Sequence, residues 1–228
     1  MGGLETERKD PVMNPLDVFR PGGGRLRVLA LGAHADDIEI GCGGTLLRLC
    51  AEREVEVLWV VFCSTPQRAE EARTSAANFL RGAAASRVVI GSHRDGFLPY
   101  EGSGVKDEFE AFKQQFQPDL VLTHYREDRH QDHRQVSELT WNTWRSHLIL
   151  EFEIPKYDGD FGVPNLFVPL SAATLEKKIE LVLAGFPTQA GKPWFTADLF
   201  RAVARIRGME CVAPERVAEA FYCRKLVI

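Results

Sequence analysis

The chain has 228 residues, 28 Lys+Arg against 32 Asp+Glu, a formal charge of −4 and 45% hydrophobic residues. That length suits a single hydrophobic core, and the balanced, mixed charge excludes the basic surface that recruits nucleic-acid backbones or anionic lipid. With 19 Gly and 12 Pro the chain is also far from low-complexity or collagen-like composition.

Residues 1–24 carry Pro11, Pro15, Pro21 and three successive glycines at 22–24, which reads as a loosely ordered arm before a domain over residues 25–228. Glu5, Glu7, Arg8, Lys9 and Asp10 have no apolar stretch behind them, so a secretory leader is not indicated and a cytoplasmic location is expected. From Arg27 onward, strands are expected over 28–32, 55–63 and 88–90, with helices near 41–52 and 67–81 between them. A helix near 105–117, a strand over 120–123 and a helix over 132–144 continue the alternation. After residues 148–154 comes a stretch punctuated by Pro155, Gly159, Gly162, Pro164 and Pro169, then two helical patterns and a closing apolar segment over 218–228. The expected fold is α/β: a single domain with a Rossmann-like, mostly parallel sheet and helices on both faces.

Val57 to Cys63 is apolar at all seven positions, as a strand buried on both faces should be, which places it in the middle of the sheet. It is also the longest apolar run, far short of the ~20 residues that cross a bilayer. The five cysteines are scattered without a C-x-x-C pair and read as reduced, mostly buried thiols. Gly41, Gly43 and Gly44 are too far from the end of the first strand for a dinucleotide fingerprint and suit close packing of helix on sheet instead.

Ligands of open α/β sheets bind at the carboxyl ends of the strands. Directly after the first strand stands Gly32-Ala33-His34-Ala35-Asp36-Asp37, and after the strand over 120–123 comes Asp128-Arg129-His130-Gln131-Asp132-His133. Two loops leaving one sheet edge with this many imidazoles and carboxylates can supply the three N/O ligands of a catalytic zinc site.

These residues resemble the PIG-L/LmbE-like zinc deacetylases, whose signatures are A-H-P-D-D after the first strand and H-P-D-H after a later one. Here they read Ala33-His34-Ala35-Asp36-Asp37 and His130-Gln131-Asp132-His133, with Ala35 and Gln131 in place of the prolines. Ile38-Glu39, Gly41-Cys42-Gly43-Gly44, Arg68-Ala69-Glu70-Glu71 and Ala218-Glu219-Ala220-Phe221 are similar to the family as well, so the resemblance runs from about Arg27 to the end. It implies one Zn2+ per chain, replaceable by other divalent metals, with His34, Asp37 and His133 as ligands and Asp36 as general base. It further implies that His130 protonates the leaving nitrogen or steadies the oxyanion, with Asp132 orienting it, although Asp132 equally suits a helix N-cap. Arg68 and Asp95 are the candidates for substrate contact. Adjacent carboxylates cannot both point at one metal without strain, so a division of labour between Asp36 and Asp37 agrees with the physics.

The implied substrate is a small N-acetylated amino sugar or sugar conjugate, with neither nucleic acid nor membrane as partner and the oligomeric state open. Two rivals stand beside it. One is a metal-dependent hydratase of an unsaturated organic acid, which would use Arg68, Arg126 and Arg129 as cationic partners. The other is a non-catalytic sugar-binding module, against which the intact His/Asp set argues. His124 reads as a buried, hydrogen-bonded histidine rather than a ligand, His93 and His147 as structural or exposed, Cys42 as a small buried residue, and Trp194 and Phe195 as core aromatics.

Overall fold

A computed structural model describes residues 24–227; apart from Gly24, the expected N-terminal arm lies outside the described residues. The chain runs β1 (Leu26–Gly32), α1 (Asp37–Glu52), β2 (Val55–Cys63), α2 (Pro66–Phe79), β3 (Ala85–His93), α3 (Gly102–Gln115), β4 (Leu120–His124), α4 (Gln131–Thr143) and β5 (Leu148–Phe152). It closes with β6 (Leu166–Pro169), α5 (Ala172–Gly185), α6 (Ala197–Glu210) and β7 (Ala218–Cys223). The strands form one sheet in the order β3-β2-β1-β4-β5-β7-β6. The first five are parallel, and β7 runs antiparallel to both β5 and β6.

Strand periodicity explains the two cores. Val28, Ala30, Val57, Trp59 and Val61 face one layer with Ile38, Leu46, Phe79, Ile179 and Phe200, whereas Leu29, Leu31, Leu58, Val60 and Phe62 face the other with Val105, Phe109, Val136 and Leu139. Helices α1, α2, α5 and α6 thus cover one face, and α3 and α4 the other. β2 is buried on both faces as expected but lies one place in from the β3 edge, with β4 in the middle. Full burial of its side chains requires covering helices, not a central position. The strand β6 was not expected, and the closing strand stops at Cys223, short of residue 228.

The glycines serve packing. A Cβ at Gly41 would stand 2.3 Å from the Phe152 ring and one at Gly43 2.6 Å from Phe79, so α1 lies closer to its neighbours than any other residue permits. Within α1, Cys42 leaves helical geometry (φ −144°, ψ 16°), and the kink frees backbone donors. Buried Glu219 accepts them, taking Gly44 N–H at 2.8 Å and Thr45 N–H at 2.6 Å, while Lys178 Nζ donates to the same carboxylate at 2.6 Å. Among the described residues no helix is long and apolar enough to cross a membrane.

Candidate active site

The strand order turns at β1 and β4, which are neighbours whose following chain segments depart in opposite directions. At such a switch point the loops diverge and leave a crevice, and both motifs sit there. α1 starts at Asp37, four residues earlier than the sequence pattern indicates, which puts Asp36 at its N-cap and Asp37 in its first turn. α4 starts at Gln131 with His130 as N-cap, Nδ1 accepting the Asp132 N–H at 3.2 Å. Asp132 is therefore not the N-cap. The same bond leaves the proton of a neutral His130 on Nε2.

Three donor atoms converge. His34 Nδ1 lies 3.2 Å from His133 Nε2 and 3.4 Å from Asp37 Oδ2, and His133 Nε2 lies 3.5 Å from Asp37 Oδ2. Ligands at 2.0–2.1 Å from a tetrahedral zinc stand roughly 3.3–3.4 Å from one another, so this donor set fits a zinc-sized ion in both chemistry and spacing. The His34 N–H from the backbone donates to Asp37 Oδ2 at 2.6 Å and tightens the loop. His133 Nδ1 meets Asp128 Oδ2 at 2.9 Å, which directs the Nε2 lone pair toward the other two donors.

His34 is surrounded by carboxylates. Its Nε2 stands 3.2 Å from Asp132 Oδ2 and 3.1 Å from Asp95 Oδ1. Burial alone would push its pKa down, but hydrogen bonds to Asp132, Asp37 and Asp95 hold it well above the ordinary histidine value. Burial, reinforced by His124, pushes His133 down to about 4 against Asp37 and Asp128. Burial works against ionisation of Asp37, yet the His133 and His124 imidazoles keep its pKa well below the usual carboxylate range.

The structure corrects one expected role. The Asp132 carboxylate makes no hydrogen bond to His130; it contacts His34 and accepts the Gly96 N–H at 2.6 Å and the Leu98 N–H at 3.1 Å, because the loop after β3 folds over it. Arg68 reaches into the site, where Nη2 donates to Asp36 Oδ1 at 2.7 Å. The other Asp36 oxygen, Oδ2, is buried without a partner. Burial raises the Asp36 carboxyl, with Arg68 opposing. Asp95 meets His34 while its side chain stays 76% exposed, which suits a group at the mouth of the crevice.

His124 is buried and its Nε2 accepts the Ala33 N–H at 2.9 Å, so that lone pair is engaged. His93 is held between Glu101 and Glu108, Cys42 is buried and donates to the Ile38 carbonyl, and Phe195 lies in the core with Trp194 packed on it. Asp128, Lys156 and Asp160 are the site residues that sequence reasoning assigned no role. Glu39 is another: it is buried in the first turn of α1, and burial lifts its carboxyl to about 8.

The profile of the family described as PIG-L: GlcNAc-PI de-N-acetylase matches residues 29–144, just over half the chain, and spans both loops. The chain belongs to the PIG-L family. An uncharacterized deacetylase of Escherichia coli, YaiS, is 31% identical over 163 residues, covering 63% of this chain and 81% of its own. Among solved structures, the N,N'-diacetylchitobiose deacetylase from Pyrococcus horikoshii matches with a TM-score of 0.64 at 21% identity, over 86% of this chain and 83% of that one. A teicoplanin deacetylase in its zinc-inhibited form matches with a TM-score of 0.63 at 14% identity, over 86% and 96%. These likenesses establish the fold, and membership of the PIG-L family makes the chain a hydrolytic enzyme that releases acyl groups from amides.

Proposed function

We propose that the chain is a zinc-dependent N-deacetylase of N-acetylated amino sugars or sugar conjugates, such as an N-acetylglucosaminyl compound. The observation that carries this reading is the His34, Asp37 and His133 donor triangle with edges of 3.2 to 3.5 Å beside the unpartnered oxygen of Asp36. A divalent ion held by that triangle supplies Lewis acidity and lowers the pKa of water toward neutrality.

Each remaining step falls to a side chain. Asp36 Oδ2 accepts the proton of the attacking water, and the raised pKa that burial gives this carboxyl makes it a better base than an exposed one. Arg68 keeps the carboxylate in one orientation. The His130 ring packs edge-on to His34, with centroids 4.8 Å apart; its Nε2–H steadies the carbonyl oxygen, and the proton that Asp36 took from water passes to the departing nitrogen as the C–N bond breaks. Asp95 offers an exposed carboxylate to sugar hydroxyls.

The hydratase alternative needs cationic groups free to hold an organic acid. Arg68 holds Asp36, which leaves Arg126 and Arg129 for that role. The test is metal analysis of the purified protein together with a screen of N-acetyl sugar conjugates for release of both acetate and amine. Metal-dependent acetate release is expected; water addition to an unsaturated acid without any acetate release would favour the alternative.

A further inference from the structure

Lys156 lies between β5 and β6, outside both motifs, and its ammonium is buried among acceptors. Nζ donates to Asp128 Oδ2 at 2.8 Å, to Asp160 Oδ1 at 2.7 Å and to the Ile154 carbonyl at 3.3 Å. The Lys156 side chain is 11% exposed and those of Asp128 and Asp160 are 2% and 6%. A buried ammonium persists only where its three protons find acceptors and its charge is balanced, and both conditions are met.

The partners tie this cluster to the chemistry. Asp128 Oδ2, which holds Lys156, also meets His133 Nδ1 at 2.9 Å, and Asp128 Oδ1 accepts the His130 N–H at 2.8 Å. Asp160 Oδ2 accepts the Arg129 N–H at 2.7 Å. Residues 128 and 129 are thus fastened to the segment carrying Lys156 and Asp160, and His130 to Asp128 in turn. Asp128 holds the other nitrogen of the His133 ring while Nε2 faces its fellow donors, and Asp128 is held by Lys156.

We propose that Lys156, with Asp160 behind it, is a positioning residue for the metal donor set: it fixes the Asp128 carboxylate and through it the His133 ring. This deepens the deacetylase reading and rests on its metal site. Groups one step removed from a ligand set its orientation, and their loss commonly weakens metal binding on the order of 10–100-fold. The brace also couples the segment after β5 to the metal, so ordering of one favours the other.

The test is the zinc dissociation constant of chelator-stripped protein, measured by competition with a chromophoric chelator, for the wild type and for Lys156→Met, which keeps the length of the side chain without its charge. The variant is expected to bind zinc on the order of 10–100-fold more weakly and to recover turnover in excess zinc. An affinity within about twofold of the wild type overturns the proposal, even if the variant unfolds more easily. If Lys156→Met does not fold, Asp160→Asn decides: weaker zinc binding supports the brace and unchanged affinity overturns it. A wild type that takes up no zinc removes the metal reading and the brace together, whereas wild-type uptake with unaltered variants removes the brace alone.

Discussion

Arg68 Nη2 donates to Asp36 Oδ1 at 2.7 Å, joining the first turn of α2 to the N-cap of α1 within the crevice. The pair engages one carboxylate oxygen and leaves the other unpartnered; in the proposed mechanism the guanidinium orients the base. Replacing Arg68 by Met is expected to lower kcat on the order of 10–100-fold, the cost of a misplaced reacting group, with zinc content unchanged. Steady-state kinetics with metal analysis checks this. A rise in KM at unchanged kcat would return Arg68 to substrate contact.

Glu219 and Lys178 form the buried polar node under the α1 kink. Glu219→Ala would strand the Lys178 ammonium and unpair two backbone donors. The expected loss of unfolding free energy is about 3–5 kcal/mol, the usual penalty of a broken buried ion pair. Urea denaturation measures it, and Glu219→Ala combined with Lys178→Met should regain part of the loss. A single-variant cost below about 1 kcal/mol would mean that the node adds no more than a surface pair.

His93 closes the base of the loop that carries Asp95 and Gly96, with Nδ1 2.6 Å from Glu101 and Nε2 2.9 Å from Glu108. Burial lowers its pKa, but the hydrogen bonds and charges of Glu101 and Glu108 outweigh burial and raise it. A histidine raised above its unfolded value of about 6.5 contributes stability in full below that pH and loses it as pH climbs through the folded value. The thermal midpoint of the wild type should therefore exceed that of His93→Gln by most near pH 6, and the gap should shrink toward alkaline pH. With both glutamates half open to solvent the effect is on the order of 1 kcal/mol. A gap that widens with pH contradicts the charge assignment.

Local signals carried the frame. The runs of β1, β2 and β4 and the capped starts of α2, α5 and α6 are written in successive residues, and so is the clustering of His34, Asp36, Asp37, His130 and His133 at one sheet edge. What the pattern lacked was contact between distant residues. Lys156 meets Asp128 across 28 residues and Arg68 meets Asp36 across 32, distances at which charge pairing has no periodic trace. β6 is short, ends in a proline and is half-buried, so it carries neither alternation nor an apolar run. Asp132 turned from His130 to His34 because the loop after β3 supplies Gly96 and Leu98 amides to its carboxylate, and that loop's path is not encoded next to the motif.

The proposed division of base and metal ligand between neighbouring Asp36 and Asp37 is tested most directly by one paired measurement: zinc stoichiometry and turnover of Asp36→Asn and Asp37→Ala beside the wild type. Asp36→Asn is expected to keep about one zinc per chain and to lose on the order of 10²–10⁴ in kcat, the worth of a positioned base, or roughly 2.7–5.4 kcal/mol of barrier. Asp37→Ala is expected to lose its metal and to regain part of its activity in excess zinc. Metal loss in Asp36→Asn with metal retained in Asp37→Ala would contradict the assignment and exchange the two roles.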